Sequence, residues 1–191
     1  MVVGIIAASP TVYLRDFKAD YVIAVDNGYN HAVSYNIKVD CFVGDLDSLD
    51  VEPDISDKII LTPEKDETDL MVAAKKALAL NPEKIIIYGA TNARFDHYYA
   101  NIHLLDMGNI EIVDEYNRIY IMDSNFAIER NDEYISFFAY EEDVLITLKG
   151  FKYPLDSYTL RYGDPLCVSN EIVDDLGEVL ISNKVLVIHS K

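Results

Sequence analysis

Residues 84–113, KIIIYGATNARFDHYYANIHLLDMGNIEIV, run from an apolar segment through a glycine into a mixed stretch and back to an apolar segment. Lys84 to Tyr88 and Ile110 to Val113 are apolar at nearly every position, as expected of strands covered on both faces. Between them, Phe95 to Met107 carries apolar residues every three or four positions, the spacing of a helix. Strand, helix and strand in that order predict a βαβ unit, and hence a parallel sheet.

The same alternation extends toward the N-terminus. VVGIIAA from Val2, YVIAV from Tyr21, CFVG from Cys41 and KIIL from Lys58 read as further strands, with helices expected over Gly28 to Tyr35 and Thr68 to Leu80. Beyond about Glu115 the pattern changes. RIYIM, YISFFAY, DVLITLKG, GEVLIS and KVLVIHS are short, rich in Val, Ile, Tyr and Phe, and separated by Asn, Asp or Gly. No helical pattern interrupts them, which predicts a compact antiparallel sandwich or barrel. A boundary is therefore expected near Tyr116, giving an α/β part over 1–115 and an all-β part over 116–191.

Composition narrows the function classes. With 50% hydrophobic residues the chain of 191 can bury a substantial core. Its apolar runs fall short of the roughly 20 residues that a membrane helix needs, and the N-terminus reads as a first strand rather than a signal peptide. A cytoplasmic protein is expected, with no membrane partner. The formal charge of -17 argues against nucleic acid, whose phosphates require clustered Lys and Arg. A polyphosphate substrate would need a local cation. The two cysteines, Cys41 and Cys167, lack metal-type spacing and read as buried thiols.

In an open parallel sheet, ligands bind beyond the carboxyl ends of the strands. Acidic residues gather at those ends here. Asp26 follows YVIAV, Asp45 and Asp47 follow CFVG, PEKDETD follows KIIL, and GATNARFDH follows KIIIY. Residues two apart in extended chain project to one side, about 7 Å along the strand, so Asp45 and Asp47 can face a common ion. A hard cation such as Mg²⁺ takes one or two protein carboxylates together with substrate phosphates. Asp45 and Asp47 as turn formers are the plainer alternative.

The other acids also have two readings. Asp66 or Thr68 can cap the helix that follows, and Asp69 in its first turn complements the helix dipole. The same helix N-terminus presents amides to phosphate, with Asp66 and Asp69 expected on one face. Arg94 offers a planar fork to phosphate, and Asp96 with His97 opens the next helix. The plain alternative makes Asp96 a cap and Arg94 its surface partner.

Four motifs thus stand in order: DNG at Asp26, GDLDS at Gly44, DETD at Asp66 and RFDH at Arg94. The set resembles the thiamin pyrophosphokinase family, whose motifs read approximately D-G-G, G-D-x-D-S, D-x-T-D and G-G-R-x-D-H. The resemblance continues through LKGFKYPL from Leu148 and VSNE from Val168, and so covers nearly the whole chain. It implies a Rossmann-like, mostly parallel α/β domain with flanking helices that binds nucleotide and carries catalysis, followed by an antiparallel β-sandwich that binds thiamine. The implied reaction moves a pyrophosphoryl group from ATP to the hydroxyl of thiamine, releasing AMP, with Mg²⁺.

By the same resemblance, Asp45, Asp47 and Asp69 match the metal-site positions, and Asp96 joins them in the catalytic set. Asp26, Asp66, Thr68, Arg94 and His97 match the ATP and phosphate region. Ser169 and Asn170 match positions near the thiamine pyrimidine, and Tyr153 an aromatic position that packs on thiamine across a homodimer interface. Asn27 stands where the family commonly has Gly, and Asn92 and Ala93 where it has Gly-Gly, which points to an altered ATP affinity. A phosphatase of the haloacid dehalogenase type, with Asp45 as nucleophile, is the alternative enzyme. A non-catalytic nucleotide- or thiamine-binding module is the other alternative.

Overall fold

The computed structural model describes residues 1–45, 53–62, 64, 66–91 and 94–191. Asp47, Asn92 and Ala93 lie outside the described residues. The chain divides into two compact units, Met1–Glu115 and Tyr116–Lys191.

The first unit contains strands β1 (Val2–Ile6), β2 (Tyr21–Val25), β3 (Cys41–Gly44), β4 (Asp57–Ile60), β5 (Lys84–Tyr88) and β6 (Ile110–Val113). They lie in the order β4-β3-β2-β1-β5-β6, and every neighbouring pair is parallel. Helices α1 (Gly28–Ser34), α2 (Asp69–Leu78) and α3 (Phe95–Ile102) connect them, and a 3₁₀ turn, His103–Met107, continues α3. The apolar runs form strands because both faces are covered: Val3, Ile5, Ile6, Ile23, Ala24, Phe42, Val43, Ile85 and Ile87 are buried. α2 buries Leu70, Ala73, Ala74 and Ala77 along one stripe. The expected helix from Phe95 to Met107 is therefore split, its second part winding more tightly than α-helix.

From β1 the chain builds outward through β2, β3 and β4, then returns to add β5 and β6 on the opposite side of β1. The sheet order reverses between β1 and β5, and such a switch point opens a crevice at the strands' carboxyl ends.

The second unit is all-β. β7 (Asn117–Met122), β13 (Val185–Ser190) and β9 (Tyr134–Ala139) pair antiparallel, as do β11 (Leu155–Leu160), β10 (Val144–Lys149), β12 (Leu176–Ile181) and β8 (Phe126–Glu129). Ile135, Phe137, Ala139, Val144, Ile146, Leu148, Phe151, Val179, Val185 and Val187 form the core between the two sets. The α/β reading followed by an antiparallel sandwich is borne out. β8 and β11 carry little alternation in sequence. β11 buries only Leu160 and is interrupted at Ser157, whose φ is 49°. Among the described residues, no helix is long and apolar enough to cross a membrane.

Candidate active site

At the switch point a cavity of about 200 Å³ opens beyond the strand ends. β1 contributes Ala7, Ala8 and Ser9; β2 contributes Val25 and Asp26; β5 contributes Gly89, Ala90 and Thr91. The start of α2 adds Thr68, Asp69 and Leu70, and the α3 region adds Arg94, His97 and Asn101. Residues up to 94 positions apart in sequence thus share one wall because a parallel sheet delivers its carboxyl ends to one rim.

Local chemistry shapes each wall. Thr68 is the N-cap of α2, extended at φ −72° and ψ 153°, and its hydroxyl accepts from the Met71 amide at 3.2 Å. The remaining first-turn amides of this ten-residue helix make its start attractive to an anion. Asp26 sits in the left-handed region at φ 48°, its amide donating to the Val43 carbonyl at 3.0 Å. Its carboxylate folds over Gly44, where an added Cβ would lie 2.0 Å from Oδ1. Asp45 follows Gly44 directly at the end of β3 and is not among the residues lining the cavity. At Gly89, φ is 76°, and a Cβ would meet Val12 Cγ2 at 2.7 Å. Only glycine lets β5 turn this close to the chain leaving β1.

Of the expected site residues, the cavity brings together Asp26, Thr68, Asp69, Arg94 and His97. Asp66 is exposed and precedes α2. It does not share a helix face with Asp69 as the three-residue spacing suggested, because the helix begins only at Asp69. Of the two candidate caps, Thr68 takes the role. Asp96 is not the cap of α3; that position belongs to Arg94, without a side-chain cap bond. Instead Asp96 receives both arms of Arg94, Nη2 to Oδ2 at 2.6 Å and Nε to Oδ1 at 3.2 Å, and also accepts from the His97 amide at 3.0 Å. The Arg94 bond holds the Asp96 carboxyl below the usual carboxylate range, assisted by the His97 amide against some desolvation. In turn, Asp96 raises Arg94 above its ordinary value.

Among the described residues, no three His, Cys, Asp or Glu side chains gather to hold a metal ion. The donor chemistry nevertheless fits a hard cation, since Asp45 and Asp69 are carboxylates and such an ion needs only one or two of these when phosphate oxygens complete its shell. The cavity also holds a buried hydroxyl, Thr91 Oγ1, with no hydrogen-bond partner among the described residues.

Sequence reading missed four residues here. Ser9 is buried, and its carbonyl lies 2.7 Å from His31 Nε2, which must donate because a carbonyl can only accept. Asn101 is buried and donates to the Ala90 carbonyl at 3.0 Å. Thr91 sits inside the loop that ends in Arg94, a position signal; His31, Ser9 and Asn101 carry none.

In the second unit a cavity of about 270 Å³ is lined by Tyr153, Leu155, Leu166, Cys167, Val168 and Asn170. Tyr153 is 59% exposed, with the Lys152 ammonium 5.7 Å from its ring centre. Asn170 is buried, and its amide is engaged with backbone: Oδ1 accepts from Tyr153 N at 3.1 Å and Glu171 N at 3.0 Å, while Nδ2 donates to Tyr153 O at 2.9 Å. It clamps the bend before β11 that carries Tyr153. Ser169 is exposed, at φ 58°, and its amide donates to Ser136 Oγ at 3.0 Å. Burial, and then Asp164, push the Cys167 thiol up to about 11, so it stays protonated near neutrality.

A parallel α/β unit with a cavity at its switch point and an antiparallel unit with a largely apolar pocket of its own define a two-domain α/β-plus-β protein. Residues 16–114 match the family model of the thiamin pyrophosphokinase catalytic domain, and residues 123–188 that of the thiamin pyrophosphokinase vitamin B1 binding domain. The chain belongs to the thiamin pyrophosphokinase family.

Thiamine pyrophosphokinase from Bacillus subtilis (strain 168) is 38% identical over 133 residues, a match spanning 65% of this chain and 62% of that protein. A crystal structure of thiamine pyrophosphokinase from Bacillus subtilis superposes with a TM-score of 0.92 at 30% identity, covering 100% of this chain and 99% of the other. That of thiamin pyrophosphokinase from Geobacillus thermodenitrificans gives 0.90 at 29% identity, covering 100% and 98%. The haloacid dehalogenase alternative is set aside.

Proposed function

We propose that this protein is a thiamine diphosphokinase that uses ATP and Mg²⁺. The observation that carries this reading is the convergence of Asp26, Thr68, Asp69, Arg94 and His97 on one cavity at the switch point of a parallel sheet. Unit 1–115 is the nucleotide-binding catalytic domain and unit 116–191 the thiamine-binding domain.

In this reading the start of α2 and the Arg94 fork receive the ATP phosphates. Asp96 presets the plane of Arg94, which reduces the freedom lost when phosphate arrives. Asp45, Asp47 and Asp69 would hold Mg²⁺. Bound there, the ion supplies charge neutralisation and polarises phosphoryl oxygens. Chemically, a bond forms between the thiamine hydroxyl oxygen and the β-phosphorus while the bond from that phosphorus to the α,β-bridging oxygen breaks, and AMP leaves with the bridging oxygen. The hydroxyl proton needs an acceptor. Asp96 is occupied by Arg94, whereas His97 lines the cavity, so His97 is the better placed of the two.

On the second unit, the exposed Tyr153 ring suits the cationic thiazolium of thiamine. Ser169 supplies a polar contact nearby, and Asn170 supports Tyr153 from behind. The protein is expected to work in the cytoplasm as a homodimer.

Incubation of the purified protein with ATP, Mg²⁺ and thiamine tests the reading. AMP and thiamine diphosphate in equal amounts are expected. Inorganic phosphate released without thiamine, or no turnover with both substrates bound, overturns it. Sedimentation at assay concentration should show a dimer; a monomer alone removes the homodimer.

A further inference from the structure

We propose that Thr91 is a substrate-binding residue whose hydroxyl donates a hydrogen bond to a phosphate oxygen of the bound nucleotide. The inference rests on the cavity's role proposed above and adds a residue to it.

Thr91 lies just beyond β5 and lines the cavity with Arg94 and the start of α2. Its Oγ1 is buried and has no partner among the described residues. Buried hydroxyls are ordinarily satisfied, and one left unmet in a native fold calls for an explanation. The neighbouring Ala90 carbonyl accepts from Asn101 at 3.0 Å and takes no bond from Thr91.

The surroundings select the ligand. Arg94 and the amide-bearing start of α2 offer donors to an anion, while the carboxylates of Asp26 and Asp69 on the same cavity require that anion to arrive with a cation. Phosphate oxygens are pure acceptors, and a threonine hydroxyl is a donor. Threonine is also β-branched, so its few χ1 choices hold the hydroxyl ready. Valine would fill the same space without burying an unmet polar group, and a purely structural position would favour it.

Two variants separate the roles. Thr91→Val keeps the shape and removes the donor; Thr91→Ser keeps the donor. Each is titrated calorimetrically with ATP and with inorganic pyrophosphate, and with adenosine as a control, in the presence of Mg²⁺ and without thiamine, so the readout does not require turnover. Thr91→Val is expected to melt at or above the wild-type temperature without ligand and to bind both probes about tenfold or more weakly. Thr91→Ser should stay within about threefold of wild type, since it retains the charged hydrogen bond. Unchanged affinity in Thr91→Val overturns the proposal, as does a large drop in its ligand-free melting temperature, which would make the hydroxyl structural. Weaker binding of ATP and of adenosine with unchanged pyrophosphate binding also overturns it, because the hydroxyl would then meet the nucleoside. Wild-type protein that binds both probes but forms no thiamine diphosphate would defeat the kinase reading alone.

Discussion

The carboxylate of Asp26 occupies the space that a side chain on residue 44 would need: a Cβ built on Gly44 would lie 2.0 Å from Asp26 Oδ1 and 3.1 Å from the Asp26 amide. Two strand ends are thereby interlocked at the rim of the cavity. Gly44 has φ 146°, a region that other residues rarely adopt. Gly44→Ala combines backbone strain with overpacking and should cost roughly 2–5 kcal/mol. Urea denaturation measures it, and a second substitution, Asp26→Ala, should recover part of the loss.

Thr68 caps α2 through the Met71 amide. Thr68→Ala should lower stability by about 1 kcal/mol, and Thr68→Ser should restore most of it. Thermal unfolding of the three proteins checks the ordering.

Asp45→Asn and Asp69→Asn test the carboxylates assigned to Mg²⁺. Each should reduce turnover on the order of a hundredfold and move the Mg²⁺ dependence to higher concentration. Unfolding should remain cooperative in both. Asp69→Asn also loses a dipole contact in the first turn of α2, about 0.3–1 kcal/mol. Unchanged Mg²⁺ dependence in both variants would remove the metal role.

At the opposite, amino ends of the strands, Asp57 accepts from Lys76 at 2.9 Å and from Tyr21 at 3.0 Å. The Lys76 bond, aided by Tyr21 and opposed by desolvation, holds the Asp57 carboxyl below its ordinary value. A carboxylate lowered in the folded state contributes stability that is present above its unfolded pKa, about 3.9, and is lost as pH falls through the folded value. Wild type should therefore lose more stability than Asp57→Asn between pH 6 and pH values below about 3.9. Urea midpoints at the two ends of that range give the comparison.

His189 is 1% exposed in the second unit, with Nδ1 2.9 Å from Glu133 Oε2 and Nε2 near both Tyr120 Oη, at 2.9 Å, and Arg118 Nη2, at 3.2 Å. A guanidinium only donates, so Nε2 accepts and Nδ1 carries the proton toward Glu133. Glu133→Ala should cost about 1–3 kcal/mol, and Glu133→Gln, which keeps an acceptor, clearly less. Thermal unfolding distinguishes them.

Apolar runs such as KIIIY and YVIAV were legible as strands because a strand buried on both faces is apolar throughout, a property of the segment itself. β11 was less legible, since it buries only Leu160. Helix starts were readable to within a residue at Thr68, where a capping side chain marks the end, and less so around Asp96, where the salt bridge to Arg94 competes with capping. Asp66 shows the limit of spacing arguments: three residues apart means one face only if both lie inside the helix.

By itself, the sequence determined the family, the α/β-then-β arrangement and five charged or polar residues that meet at the cavity, Asp26, Thr68, Asp69, Arg94 and His97, because these follow from local pattern and from the rule that parallel strands share a rim. Only the tertiary structure decided that Asp26 packs on Gly44, that Asn170 clamps Tyr153 rather than pointing its amide outward, and that Thr91, on the same cavity as Arg94, buries a hydroxyl with no partner among the described residues. Burial and hydrogen-bond partnership depend on which distant segments become neighbours. No window of sequence contains both partners.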